Sequence, residues 1–354
     1  MAPLILALTG EWALLLTGGG FNLLARTMNV KLLGLLSMLS VASLALAADS
    51  ARPNTRPPKI ATVIFQEDQF FRLIEFGARE AAQKAGAIAV EGNSENKLDK
   101  EKQLVDAFIA GKVDAIVISP LSRKASVETV KRAKARGVAV VTYNTTVDGN
   151  ITDAFVECDQ SDLGLQSGQA AARYIREKLG GKAKVAILAF KSLVPEQSGA
   201  RSDGFKEALK GLPGVQIVAE QDAWLAEMAV KRAGDILTAN PGIDVIWAAN
   251  EGGTAGAVLA VKNSGRAGKV VVFGTDISEQ MLGFLKSPDN ILQATTAQRP
   301  YEVGVKAAET ALKVIRKEPV EKKVVLPGLC LRRSEPEAIA QYEQQLKEWM
   351  GKAR

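Results

Sequence analysis

The chain contains no histidine at all. That absence removes Ser-His-Asp and Cys-His nucleophilic machinery, and with it the His-rich catalytic zinc sites. Cysteine is nearly as scarce. Cys158 and Cys330 are the only two in 354 residues, too few for a metal cluster or a disulfide scaffold. There is no Walker phosphate loop and no G-x-S-x-G elbow. The glycine-rich run Gly252-Gly253-Thr254-Ala255-Gly256 has the wrong spacing for a dinucleotide fingerprint and reads as a helix starting close to the sheet. Blocks of like charge are missing too. A net charge of +6 with both signs interspersed describes a solvated surface, not a nucleic-acid footprint. No metal, cofactor, nucleic acid or catalytic residue is therefore expected. Aromatics make up only 5% of the chain, so each close pair of them is informative.

What is present is a globular balance, 47% hydrophobic and 24% charged, in a chain long enough for two domains. Apolar, β-branched runs recur and end abruptly in polar side chains. Residues 138–143 end at Asn144, residues 60–65 run out at Glu67 and Asp68, and residues 114–118 at Ser119-Pro120. Residues 245–249 end at Asn250, 270–275 at Asp276 and 291–297 at Gln298. Such runs suit parallel strands covered on both faces, whose carboxyl ends bind ligands. Helical stretches alternate with them and stop at Gly86, Gly111, Gly137 and Gly180-Gly181. A last strand is expected over 324–331, then a terminal helix. The two halves echo each other: Asp114-Ala115-Ile116-Val117 follows one helix as Asp244-Val245-Ile246-Trp247 follows another. The reading is an α/β fold of two doubly wound, Rossmann-like lobes whose strand ends share one cleft.

The first residues follow different rules. Met28-Asn29-Val30-Lys31 is a short basic start, residues 32–47 are apolar, and Ala45-Leu46-Ala47 fits a small-x-small cleavage site. Residues 28–47 are thus expected to be a cleavable signal peptide, 48–58 a Pro-containing leader, and 1–27 a spurious extension before the true start.

A neutral, hydroxyl-rich ligand needs planar amides and carboxylates for its hydroxyls and aromatic rings for its C–H faces. The candidate set supplies both: Asp68, Asn144, Arg201, Asn250, Asp276 and Gln298, with Phe70, Phe71 and Trp224. Each member alone has a plainer reading: helix N-cap for Asn144 or Asp276, surface charge for Arg201, core packing for Phe70-Phe71, surface anchor for Trp224. The constellation favours a shared site. Replacing Trp224 or Arg201 by alanine is expected to abolish ligand binding and leave the free protein folded.

Six stretches in order carry a resemblance: Asp68-Gln69-Phe70-Phe71, residues 199–205, Asp222-Ala223-Trp224, Ala249-Asn250-Glu251, Gly274-Thr275-Asp276 and Ala297-Gln298-Arg299-Pro300. From about residue 60 to 331 the chain resembles the type I periplasmic sugar-binding proteins, near the ribose- and galactose-binding branch. The resemblance implies that Phe70, Phe71 and Trp224 sandwich a sugar whose hydroxyls bond to Asp68, Asn144, Arg201, Asn250, Asp276 and Gln298. It implies a monosaccharide or polyol ligand, closure about a three-segment hinge, and delivery to the membrane permease of an ABC importer by a monomeric periplasmic protein. A chemoreceptor is a further implied partner, and receptor-linked sensing or autoinducer binding the alternative use. A repressor is disfavoured by the signal-like segment where a helix-turn-helix would sit. A glycosidase would need Asp68 and Asp276 as its acid pair. The implied lobes are 59–159 plus 299–329, and 160–298 plus 330–354, with both cysteines at the hinge as either a disulfide or two buried thiols. Two departures stand out. Asn144-Thr145 replaces the acid and arginine of ribose-binding members, and Gln69 stands where proline is usual.

Overall fold

The computed structural model describes residues 56–352. The expected extension, the signal peptide and most of the leader lie outside the described residues.

Strands and helices alternate throughout. The first group is β1 (Lys59–Ile64), α1 (Gln69–Lys84), β2 (Ile88–Asn93), α2 (Leu98–Ala110), β3 (Ala115–Ile118), α3 (Val127–Ala135), β4 (Ala139–Tyr143) and β5 (Ala154–Cys158). The second is α4 (Gln160–Lys178), β6 (Lys182–Ala189), α5 (Pro195–Leu209), β7 (Gly214–Asp222), α6 (Ala226–Ala239), β8 (Val245–Ala248), α7 (Glu251–Asn263), β9 (Val271–Thr275), α8 (Glu279–Lys286) and β10 (Leu292–Ala297). Then come α9 (Pro300–Ile315), β11 (Lys323–Leu326), β12 (Leu329–Arg332) and α10 (Pro336–Lys352). They build two six-stranded sheets, ordered β2-β1-β3-β4-β5-β11 and β7-β6-β8-β9-β10-β12. Among the described residues, only β12 runs antiparallel to its neighbour. Central strands β3, β4, β8 and β9 are buried along their whole length. Their apolar continuity is thus a consequence of helices lying on both sheet faces.

The internal echo has a physical basis. The Asp114 carboxylate accepts from the Lys59 backbone N–H at 2.8 Å, and the Asp244 carboxylate accepts from the Lys184 N–H at 2.8 Å. In each lobe the same aspartate ties the start of the first strand to the loop before the third.

The chain changes sheets between β5 and β6, between β10 and β11, and between β11 and β12. The last switch corrects the expectation of one strand over 324–331. Pro327 has no N–H to continue a ladder, and the Gly328 N–H turns aside to the Asp162 carboxylate at 2.8 Å. Residues 323–326 therefore pair with β5, and 329–332 with β10. One helix end also differs. Gly111 keeps φ −73°, and Lys112 takes the left-handed φ of +54° instead, whereas Gly86 and Gly137 adopt positive φ as expected. Both cysteines are buried free thiols. Burial pushes the Cys158 thiol up to about 12.

The terminal helix α10 touches both lobes. Ile339 and Leu346 join the core beneath β8 and β9, whereas Trp349 stacks on Tyr301 of α9 at 4.5 Å and 12°. Its end is tied to α1, where Arg79 Nη2 donates to the Lys352 carbonyl at 3.1 Å.

Candidate functional site

The carboxyl ends of the two sheets face a cavity of about 360 Å³, within the range of small-molecule pockets. From the first lobe it is lined by Asp68, Phe70, Phe71 and Asn144, and from the second by Arg201, Asn250, Asp276 and Gln298. Eight of the nine candidates thus share one space. The ninth, Trp224, is not among the lining residues. It packs half-buried against the core around Phe205 and Trp247. Its carbonyl accepts from Asn250 Nδ2 at 2.9 Å, so it supports the site from behind.

Arg201 is the hub. It is only 3% exposed. Its Nε donates to Gln160 Oε1 at 2.9 Å and its Nη1 to the Ala249 carbonyl at 2.7 Å, and Nη1 lies 3.6 Å from Asp276 Oδ2. The guanidinium also sits over the Phe190 ring, 5.3 Å from its centroid. Burial pulls its pKa below the ordinary arginine value while Asp276 opposes the shift; an arginine side chain stays charged all the same. The backbone that delivers it is held by close helix packing. A Cβ at Gly164 of α4 would fall 1.8 Å from the Arg201 carbonyl, and one at Gly204 of α5 would fall 2.0 Å from the Ser161 carbonyl. Any side chain at either position would push α5, and Arg201 with it, away from α4.

Asp276 extends the network. Its Oδ1 accepts from Gln298 Nε2 at 2.6 Å and its Oδ2 from the Glu251 N–H at 3.1 Å. The residue has φ +73°, and Asn144 has φ +57°. These left-handed conformations turn the chain sharply off the strand and overturn the N-cap reading for both: the helix after β9 is capped by Ser278. Asp68 and Asn250 are the true N-caps, accepting from the Phe71 and Gly253 N–H groups. The Asn144 side-chain amide makes no hydrogen bond among the described residues; only its backbone is used, by Val156 and Gln197.

The aromatic pair divides its labour. Phe71 is 4% exposed and packs on Phe65 at 4.3 Å, while Phe70 is half-buried and meets Phe71 edge-on at 5.2 Å. Sequence reasoning missed several lining residues: Gln66, Gln69, Ile277, Pro300 and Tyr342. Gln69 occupies the first helical position after its N-cap, a place that also favours proline. Its Nε2 lies 3.4 Å from the Ile277 carbonyl across the cleft. Tyr342 arrives from α10, far beyond the last strand, and no strand-end pattern could have flagged it.

The cavity's charge is informative. Asp68, Asp276 and Glu251 line it, and Arg201 is the one cation among the described lining residues. Burial, reinforced by Asp276 and Asp68, pushes the Glu251 carboxyl above its ordinary value against a hydrogen bond from Ser278. An anionic ligand would meet net repulsion here. The arrangement suits a neutral molecule rich in hydroxyls.

Comparison with known proteins bears on the family and the fold. Residues 61–319 match the family model described as periplasmic binding protein domain. The ABC transporter periplasmic-binding protein YphF of Escherichia coli (strain K12) is 29% identical over 296 residues, spanning 82% of this chain and 90% of the relative. The D-allose-binding periplasmic protein of the same strain is 32% identical over 221 residues, 60% of this chain and 68% of the relative. A crystal structure of an ABC transporter periplasmic solute binding protein from Actinobacillus succinogenes 130z, with bound D-allose, superimposes with a TM-score of 0.70 at 29% identity, covering 79% of this chain and 99% of that one.

Proposed function

Since the chain belongs to the periplasmic binding protein domain family, we propose that it captures a monosaccharide or related polyol between its lobes and delivers it, unaltered, to the permease of an ABC importer. One observation carries this reading: eight side chains from two lobes, scattered from Asp68 to Gln298, line one cavity. Phe70, backed by Phe71, offers a flat apolar surface to the C–H face of a sugar ring. Arg201, Asp276 and Gln298 present a pre-bonded polar wall, and the Asn144 amide supplies two donors and an acceptor from the facing lobe. Asp68 and Asn250 keep acceptor capacity beyond their capping bonds. Trp224 lies outside the lining, and Ile277 and Tyr342 add apolar surface to it. Contacts drawn from both lobes give the ligand its differential affinity for the closed state.

The protein works as a monomer that reaches the periplasm through the signal peptide at 28–47, and its closed form is also what a chemoreceptor would recognise. Names of the relatives support the ligand class: among them are ribose- and D-allose-binding proteins. Asn144-Thr145, in place of an acid and arginine, argues against ribose itself.

The test is a thermal-shift and calorimetry screen against pentoses, hexoses, deoxy sugars and polyols. A ligand at about 100 times its Kd stabilises the fold by about 2.7 kcal/mol. A screen in which no sugar shifts Tm, or one in which the bound sugar is converted to product, would overturn the reading.

A further inference from the structure

A second cavity, of about 460 Å³, adjoins the first. The two share Asn144 and Gln197 as lining residues, and Gln197 Nε2 reaches the Asn144 carbonyl at 3.5 Å. That is the weak end of the hydrogen-bond range, so the contact is easily broken. Each chamber alone lies in the lower half of the ligand-pocket range, and the two side by side offer room for a longer molecule.

The lining of the side chamber defines what it accepts. Phe155 of β5 is half-exposed and offers a ring face. Thr145, Thr146, Gln160 and Ser161 surround it with hydroxyl and amide groups. Its cations are both engaged, Arg123 with Asp148 at 3.0 Å and Lys323 with Glu157 at 2.7 Å. Three carboxylates, Glu157, Asp159 and Glu196, line the same space. A phosphate or carboxylate would be repelled, whereas a second neutral ring would find the same combination of aromatic face and polar rim as in the first chamber. Thr145, at the position where the sequence departs from the ribose-binding pattern, leaves this room open.

We infer that the cleft takes a two-unit ligand, a neutral disaccharide or glycoside, with one ring beside Phe70 and Arg201 and the second unit past Asn144 and Gln197 in the side chamber. The inference rests on the sugar-binding reading above and extends its ligand from one unit to two.

Calorimetry on the purified protein would compare monosaccharides with neutral disaccharides and aryl or alkyl glycosides built from them. The expected result is an elongated ligand binding at least tenfold more tightly than its parent monosaccharide. Ala200→Phe fills the side chamber from α5 without touching the first cavity, and should cut affinity for the elongated ligand at least tenfold while changing the monosaccharide less than twofold. Glu196→Trp, on the exposed first turn of α5, should act the same way and guards against a folding defect in the first variant. If monosaccharides bind as tightly as every elongated ligand, or if neither variant separates the two, the two-unit inference is overturned and the monosaccharide reading stands. If no sugar of either size binds, the sugar-binding reading itself falls.

Discussion

The two lobes contribute unlike surfaces to the cleft. The second lobe arrives pre-bonded: Arg201, Asp276, Gln298 and Asn250 are already tied to one another or to backbone groups within it. The first lobe brings one pre-bonded carboxylate, the capping Asp68, with a half-exposed aromatic ring, Phe70, and an amide, Asn144, whose side chain is uncommitted among the described residues. A pre-organised polar wall loses little side-chain entropy when a ligand arrives, and an uncommitted amide loses more. On this asymmetry we expect the second lobe to capture the ligand first and the first lobe to add bonds as the cleft closes. Each of the following substitutions tests one side of that division.

The largest effect is expected at Arg201. Arg201→Ala should weaken ligand binding by about 100-fold, the equivalent of about 2.7 kcal/mol for lost charged hydrogen bonds. The structure adds a stability cost to the expectation that this variant leaves the free protein folded. At 3% exposure, bridging Gln160, the Ala249 carbonyl and Asp276, the guanidinium leaves an uncompensated carboxylate when removed. Breaking such a buried set costs about 3–5 kcal/mol. Urea denaturation without ligand would show it as a lower midpoint at unchanged slope. An unchanged midpoint would mean that Arg201 is not the structural hub described.

Next come the adjacent phenylalanines, which should separate folding from binding. Phe71, 4% exposed in the first-lobe core, should cost about 3–5 kcal/mol when cut to alanine. Phe70→Ala, at a half-buried position, should destabilise by about 1 kcal/mol and instead weaken the ligand about tenfold. The comparison breaks if both variants lose stability equally.

How much of this was legible beforehand differs from residue to residue. The lobes could be read because central strands covered on both faces are forced to be apolar, and the Asp114 and Asp244 echo marks a hydrogen bond that each lobe needs once. Strand-end residues were legible because the fold places their side chains beyond the sheet, and only Asp68 and Asn250 also serve as caps. Trp224 lies outside the lining because position past a strand says nothing of which way the ring turns; it packs half-buried against the core around Trp247. Tyr342 was invisible because a helix that crosses from one lobe to the other has no local signature of where it lands. The sheet switch at Pro327-Gly328 was present as a breaker pair but was masked by apolar residues on both sides.

A pH experiment sharpens the contrast with a smaller effect. In the first lobe, burial, with Glu91 and Glu67 adding and Arg79 opposing, pushes the Glu75 carboxyl up from 4.5 to about 7. Folding therefore favours its protonated form. Its contribution is full below about pH 4.5 and is lost as pH rises through about 7, because the folded state holds more protons than the unfolded in that window. Glu75→Gln should raise stability by about 1–2 kcal/mol at pH 8, after allowance for partial solvent screening, and leave it unchanged at about pH 4. Thermal melts of both proteins across that range would check the sign; a variant less stable at pH 8 would reverse it.

The smallest stability change, and the most selective, is expected at Asn144. Its φ of +57° costs an alanine about 1 kcal/mol more than it costs glycine or asparagine. Asn144→Ala should therefore lower stability by that amount and Asn144→Gly should not. Both remove the same amide, so both should weaken the ligand alike, by about fivefold to tenfold for one or two neutral hydrogen bonds. If the first lobe acts on closure, that loss falls on the rate at which ligand escapes the closed form, not on the rate of capture, because the second-lobe wall is intact in both variants. Stopped-flow traces showing slowed association at unchanged dissociation would instead place Asn144 in the encounter and dissolve the division of roles between the lobes.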